Sequence, residues 1–155
     1  MTKDKIQIRL AEAKDAERIA ILCEQLGYFA TPQQIEQRLV QIQNNKSHVI
    51  YVATLANDYV IGWAHAHTCD LIMIPTQALL LGLVVDEDYR HAGIGRKLMQ
   101  DIEDWAALVG CEEIILRSNI KRTEAHIFYE KIGYTNTKQS ITFYKKIGYF
   151  ADASL

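Results

Sequence analysis

Val84-Val85-Asp86-Glu87-Asp88-Tyr89-Arg90-His91-Ala92-Gly93-Ile94-Gly95-Arg96 joins three kinds of sequence in thirteen residues. The segment before it, Ala78 to Val85, is almost wholly apolar, the pattern of a strand buried on both faces. The segment after it sets Ile94, Leu98, Ile102, Trp105 and Val109 at helical spacing, and Gly110 stops the run. The loop between them holds Gly93 and Gly95. Glycines let a backbone approach a ligand closely and turn successive N–H groups toward it. A helix N-terminus adds about half a positive charge at the same spot. Arg90, Arg96 and Lys97 bring full charges nearby. The construction suits a pyrophosphate. It is not the dinucleotide fingerprint, because Leu98 stands where the third glycine belongs. Nor is it a P-loop, since no Gly-Lys-Ser/Thr follows.

Working outward from the loop, Glu113 to Arg117 reads as a short strand and Thr123 to Ile132 as a helix ended by Gly133. Strand, helix, strand and helix in this order predict parallel pairing through a crossover. The front half differs. Ile6 to Leu10 reads as a strand, and Asp15 to Leu26 as a helix closed by Gly27. Thr31 caps a second helix, with Pro32 at its first position and Gln34 completing a capping box; Asn44-Asn45 ends it. Val49 to Leu55 and Tyr59 to Thr68 form a hairpin about Ala56-Asn57-Asp58. The sum is an α/β domain with a mixed sheet and no internal linker.

Phe128 to Tyr134 reads FYEKIGY and Phe143 to Tyr149 reads FYKKIGY. A solenoid needs more copies and a longer period. The first copy completes the helix begun at Thr123. The second follows Ser140-Ile141-Thr142, whose β-branched residues predict a strand. Two similar heptapeptides are thus expected in two different structures.

Composition limits the function classes. The chain has 155 residues, 49% hydrophobic and 23% charged, a globular composition of single-domain length. Its 17 basic and 19 acidic residues lack the basic excess of a nucleic-acid binder. Met1 to Arg9 has no apolar run resembling a signal peptide, and no stretch reaches the roughly 18 apolar residues of a membrane span. Cys23, Cys69 and Cys111 are widely spaced with no CxxC pair, which fits reduced thiols in the cytoplasm and no metal site.

Arg90-His91-Ala92-Gly93-Ile94-Gly95 matches the Arg/Gln-x-x-Gly-x-Gly/Ala signature of the GNAT acetyltransferases. Ser118-Asn119 ends the next strand, and Ala125 to Tyr134 looks like the family's second landmark, Phe-Tyr-Glu-Lys-x-Gly-Phe/Tyr at a helix end. The chain therefore resembles that family over about residues 6 to 147, within one acetyltransferase domain spanning 1 to 155. The resemblance implies a mixed, mostly antiparallel sheet splayed in the middle, helices on both faces, and acetyl-coenzyme A in the gap. It implies that Leu83, Val84 and Val85 pair with the pantetheine amides. Arg90, His91, Ala92, Gly93, Ile94, Gly95 and Arg96 would hold the pyrophosphate. It also implies that Asn119, Ala125, Phe128 and Tyr129 contact the cofactor, Asn119 as a polar side chain beside its arm.

Tyr129 also falls where many members place the proton donor to the departing thiolate. A phenol with an ordinary pKa near 10 is protonated at neutral pH and suits the task. The base is less defined. Members often carry a Glu on the fourth strand, where this chain has Leu79 and Leu81. His65 and His67 alternate on the third strand and are candidates through water. Glu24 and Tyr28 lie where the family lines its acceptor pocket. Asp86, Glu87 and Asp88 form an acidic run that would either attract a cationic amine or remain a solvated loop. The leading expectation is an N-acetyltransferase acting on a small-molecule amine, with a homodimer plausible from the resemblance. The alternatives are a protein lysine or N-terminal acetyltransferase, and a non-catalytic acyl-coenzyme A binding module.

Overall fold

The computed structural model describes residues 5–148. One compact unit ends at Arg117 and a second begins at Ser118. The first holds a five-stranded sheet in the order β1-β2-β3-β4-β5: β1 Gln7–Leu10, β2 His48–Thr54, β3 Val60–Cys69, β4 Gln77–Val85 and β5 Ile114–Leu116. The first three pairings are antiparallel and β4–β5 is parallel, as the switch from hairpin to crossover sequence predicts.

Helices α1 (Ala16–Leu26) and α2 (Pro32–Gln43) cover one face and α3 (Ile94–Leu108) covers the other. The caps follow the sequence. Gly27 closes α1 at φ 97°, a left-handed conformation that favours glycine. Thr31 and Gln34 form the reciprocal capping box of α2, and Pro32 follows at its first position. Toward α3, Ile94 and Leu98 lie against Gly62 of β3, and Leu98, Met99 and Ile102 are fully buried. Each such side chain contributes roughly 1.5–3 kcal/mol by leaving water.

Two irregularities shape the middle of the sheet. β5 pairs only with Ala78, Leu79 and Leu80 of β4, so among the described residues the remaining half of β4 has no strand on that side. The sheet is open there, the splay expected from the resemblance. Where β4 faces β3, His65 opposes Gly82 while Ala66 opposes Leu80. Leu81 is therefore an extra residue, a β-bulge at the point where the strands part.

The second unit contains α4 (Thr123–Lys131). Three expectations are corrected. Val109 is no part of the α3 stripe, since it follows the helix and is exposed. β4 is not buried throughout, because the bulge turns Leu81 outward to 46% exposure. No strand forms at Ser140-Ile141-Thr142, and residues 135–148 have no regular structure. β-propensity reports how well side chains pack on a pleated surface, and Ile141 is exposed with no pairing strand. Tyr149, the last residue of the second heptapeptide, lies outside the described residues, as do 1–4 and 150–155. Among the described residues no helix is long and apolar enough to cross a membrane.

Candidate functional site

Backbone groups dominate the open half of β4. The Asp86 N–H donates to the Ile61 carbonyl at 2.8 Å. Hydrogen bonding alternates along an antiparallel ladder, so the N–H and C=O of Val85 and Leu83 point away from β3 toward the open side. Val84, between them, turns its backbone to β3 and its side chain into the core under α1. The open edge can pair with the amides of an extended ligand, as a missing strand would.

The strand runs into a loop that concentrates N–H donors. His91 (φ 64°) and Gly93 (φ 80°) are both left-handed, and open space surrounds the place of a Gly93 side chain. The first hydrogen bond of α3 runs from the Lys97 N–H to the Gly93 carbonyl. The N–H groups of Ile94, Gly95 and Arg96 precede that ladder and have no intrahelical partner. With the positive end of a fifteen-residue helix behind them, they fit a pyrophosphate. Arg96 is exposed at this mouth. Arg90 is committed differently from expectation, because its Nε donates to the Val85 carbonyl at 3.0 Å and so ties the loop to the strand end.

Asp86 is not part of a solvated acidic run. It is 5% exposed, and Arg18 Nη2 of α1 donates to its Oδ2 at 2.7 Å. Burial alone would raise its pKa, but the Asp88 N–H, Arg18 and Gln25 outweigh that and hold it below the usual carboxylate range. It remains ionised and is already paired, so it is no reader of a cationic amine. Glu87 and Asp88 are exposed.

Beside the bulge, on the α1–α2 face, the register aligns Trp63 with Val84, His65 with Gly82 and His67 with Leu79. Trp63 packs over Gly82 so closely that a Cβ there would lie 2.6 Å from the ring. Its indole N–H is buried without a partner. His65 and His67 come together with a third imidazole, His48 of β2. His48 Nδ1 lies 3.0 Å from His65 Nε2, and the His48 ring stacks on His67 at 5.2 Å. Burial first, then the neighbouring His48 and His67, push the His65 pKa down to about 4. That imidazole is neutral at pH 7 and is a weak base. His67 Nδ1 is 2.8 Å from the Thr68 carbonyl, which assigns the proton to Nδ1 and leaves Nε2 as the acceptor in the neutral ring. His48 meets His65 through ring nitrogens and stacks on His67, and among the described residues no cluster of His, Cys, Asp or Glu is arranged to hold a metal ion. Glu24 and Tyr28 are both exposed, Tyr28 at 71%, with Phe29 beside it at 82% on the loop between α1 and α2.

In the second unit, Asn119 uses its side chain locally. Its Oδ1 accepts the Lys121 N–H at 2.9 Å, and its carbonyl oxygen lies 2.9 Å from His126 Nε2, forming the turn that leads into α4. Ala125, Phe128 and Tyr129 are half-buried on α4. The Tyr129 ring meets Phe128 and Tyr134 edge-on, at 5.2 and 5.9 Å. Burial raises its phenol above the ordinary value, with Arg122 opposing, so Tyr129 stays protonated at neutral pH.

Sequence reading missed His48, Trp63, Gly82, Arg18 and Gln25. Register across β2, β3 and β4 brings the first three together, and register is not visible in one strand's pattern. Arg18 and Gln25 did leave a signal, since seven residues are two helical turns and place both on one stripe of α1.

The Acetyltransferase (GNAT) family model matches residues 14–134. Aminoglycoside N(6')-acetyltransferase type 1 of Stenotrophomonas maltophilia is 24% identical over 140 residues, 88% of this chain and 90% of its own. The protein of the same name from Acinetobacter genomosp. 13 is 34% identical over 71 residues, 46% of this chain and 49% of its own. This chain thus spans about half the length of that relative. Among solved structures, glucosamine-6-phosphate N-acetyltransferase from Arabidopsis thaliana superposes with a TM-score of 0.81 at 22% identity, covering 92% of this chain and 100% of that one. Aminoglycoside N-acetyltransferase AAC(6')-Iy in complex with CoA gives 0.81 at 19% identity, with 94% and 97% covered. Likeness at such identities establishes the fold. The family match covers well over half of the sequence and contains the whole strand, loop and helix described above, so the chain belongs to the Acetyltransferase (GNAT) family.

Proposed function

We propose that this protein transfers the acetyl group of acetyl-coenzyme A to a primary amine of a small molecule, by direct attack of the amine on the thioester. The carrying observation is the open half of β4 leading into the unpartnered N–H groups of α3. The edge groups of Leu83 would pair with the pantetheine arm, and residues 90–96 would hold the pyrophosphate. The Val85 N–H is the candidate donor to the oxyanion of the tetrahedral intermediate. Collapse of that intermediate expels the thiolate, and the Tyr129 hydroxyl supplies the proton to sulfur.

A lysine-like amine with a pKa near 10.4 needs roughly 4–5 kcal/mol to lose its proton at pH 7. Of the two strand histidines, His67 is the better acceptor through water, having a free Nε2 where His65 is engaged with His48. A small-molecule acceptor is supported by the relatives, whose names specify aminoglycosides and glucosamine 6-phosphate. Exposed Tyr28 and Phe29 would give the loop between α1 and α2 an aromatic surface to close over such a molecule. The three unpaired thiols fit the cytoplasm.

The test is coenzyme A release with a panel of aminoglycosides, glucosamine 6-phosphate, polyamines, amino acids and a lysine peptide. Turnover of a small amine supports the proposal, and turnover of the peptide alone would move the function to protein acetylation. One observation favours a second reading: Leu79 and Leu81 supply no carboxylate on β4. Tight coenzyme A binding without transfer to any amine would identify a non-catalytic acyl-coenzyme A binding module.

A further inference from the structure

The corner where β4 becomes the loop is held from one side by α1. Arg18 reaches it from the first turn and Gln25 from the last. The Arg18 guanidinium stacks over the Tyr59 ring at 4.3 Å, donates through Nε to the Val60 carbonyl at 2.9 Å, and pairs through Nη2 with Asp86 at 2.7 Å. Gln25 Oε1 accepts the Glu87 N–H at 2.9 Å, and its Nε2 lies 3.5 Å from Asp86 Oδ1. That same Oδ1 accepts the Asp88 N–H at 3.1 Å, and the Asp86 carbonyl accepts the Tyr89 N–H at 2.9 Å. Every backbone N–H from Asp86 to Tyr89 is thereby bonded. The N–H groups of Ile94, Gly95 and Arg96, which have no intrahelical partner, lie beyond this corner at the mouth of α3.

A buried carboxylate with partners on two sides is costly to isolate, and a simple strand end does not need one. The loop leaving this corner passes through two left-handed residues, His91 and Gly93, before the helix begins. The direction in which the corner releases the chain therefore bears on where the donors of Ile94, Gly95 and Arg96 arrive. We propose that Arg18 and Gln25 are positioning residues for the coenzyme, gripping Asp86 and Glu87 so that the loop delivers its N–H groups at the pyrophosphate. The inference rests on the reading of residues 90–96 as the pyrophosphate cradle. Both side chains spend their polar atoms on the corner and on Val60, not on the N–H groups at 94–96.

The test separates the pyrophosphate from the pantetheine arm. Coenzyme A affinity is measured by isothermal titration for the wild type, Gln25→Ala, Asp86→Asn and Gly95→Val. Steady-state kinetics are then compared with acetyl-coenzyme A and with S-acetylpantetheine, which has no pyrophosphate. Gln25→Ala and Asp86→Asn are expected to weaken coenzyme A by roughly tenfold, raise KM for acetyl-coenzyme A and leave kcat unchanged. Their kcat/KM with S-acetylpantetheine stays within about twofold of wild type. Unchanged coenzyme A affinity in both, with affinity lost in Gly95→Val, overturns the positioning role and leaves the cradle standing. An equal loss with both acetyl donors also overturns it, because the damage then extends to β4. Wild-type affinity in Gly95→Val overturns the cradle reading itself, and this inference with it. Should Asp86→Asn fail to fold by circular dichroism, Gln25→Ala decides alone, since it leaves the Arg18–Asp86 pair in place.

Discussion

The two heptapeptides, FYEKIGY from Phe128 and FYKKIGY from Phe143, differ at one position, Glu130 against Lys145. In the first, Phe128 to Lys131 form the end of α4, with Phe128 and Tyr129 half-buried. In the second, Phe143 is 89% exposed, Tyr144 is 85% exposed and the described residues 143–148 have no regular structure. What differs is the sequence upstream. Asn119 sets a turn with Lys121, Arg122 and His126, and Thr123 to Ile127 carry the helix forward from it. The first helical turn is the costly one, so a heptapeptide that joins an existing helix continues it cheaply. Ser140-Ile141-Thr142 gives the second copy no such start. A short motif therefore reports its flanks as much as itself, and chemistry assigned to one copy does not pass to the other.

The widest separation is expected between the two phenols. Tyr129→Phe keeps the ring and removes the hydroxyl, and loss of a general acid is typically worth about 10²–10⁴-fold. A fall in kcat of about 100-fold is expected, toward the lower end because water can reach the thiolate. Tyr144→Phe should turn over as wild type. Single-turnover measurement of acetyl transfer is the readout, because slow product release would hide the loss. Equal rates for both variants would end the proton-donor assignment.

Next come the two phenylalanines. Full truncation of a buried Phe costs about 3–5 kcal/mol, so half-buried Phe128→Ala should cost roughly 2. Exposed Phe143→Ala should stay within about 0.5 kcal/mol. Urea unfolding followed by circular dichroism compares them. Similar midpoints would mean that the second copy packs in solution as the first does. The glycines give a smaller contrast. Gly133 has φ 102°, so Gly133→Ala should cost about 1 kcal/mol, while Gly148 has no left-handed φ and tolerates alanine. A cost at Gly148 equal to that at Gly133 would show a helix end there too.

Much of the first unit was legible because its signals are local. Thr31-Pro32 and Gln34 state where α2 begins, Gly27 where α1 ends, and the apolar run to Val85 followed by Gly93 and Gly95 states the strand, loop and helix. The half of β4 left unpaired on the β5 side among the described residues was anticipated from family likeness, and only the three-residue pairing with β5 gives it a physical cause. The imidazole group was half visible. His65 and His67 alternate within one strand, but His48 joins them through the β2–β3 register, seventeen residues away from His65. Asp86 was misread because a run of three acids resembles a solvated loop until Arg18, sixty-eight residues distant, is seen to neutralise its first member. Long-range pairing decides such cases, and periodicity carries no record of it.

The smallest effect concerns pH, and it again separates the two copies. Burial raises the Tyr129 phenol above 10, with Arg122 only partly opposing, whereas Tyr144 stands in solvent. A general acid works while protonated, so its alkaline limb appears as pH rises through its own pKa. For Tyr129 that limb should begin above pH 10 and be absent from the residual activity of Tyr129→Phe. Tyr144→Phe should keep the wild-type limb. Stability has the same sign. Below pH 10 the phenol is protonated in both folded and unfolded chains and contributes no slope. Above it the unfolded phenol ionises first, so stability falls as pH climbs toward the folded value. Ultraviolet titration of the phenolate should show late ionisation from both Tyr51 and Tyr129, each raised first by burial; Tyr129→Phe should lose one late phenol and Tyr144→Phe should keep both. An alkaline limb below pH 10 that persists in Tyr129→Phe would belong to another group, and the pH profile would then say nothing for Tyr129 as the acid.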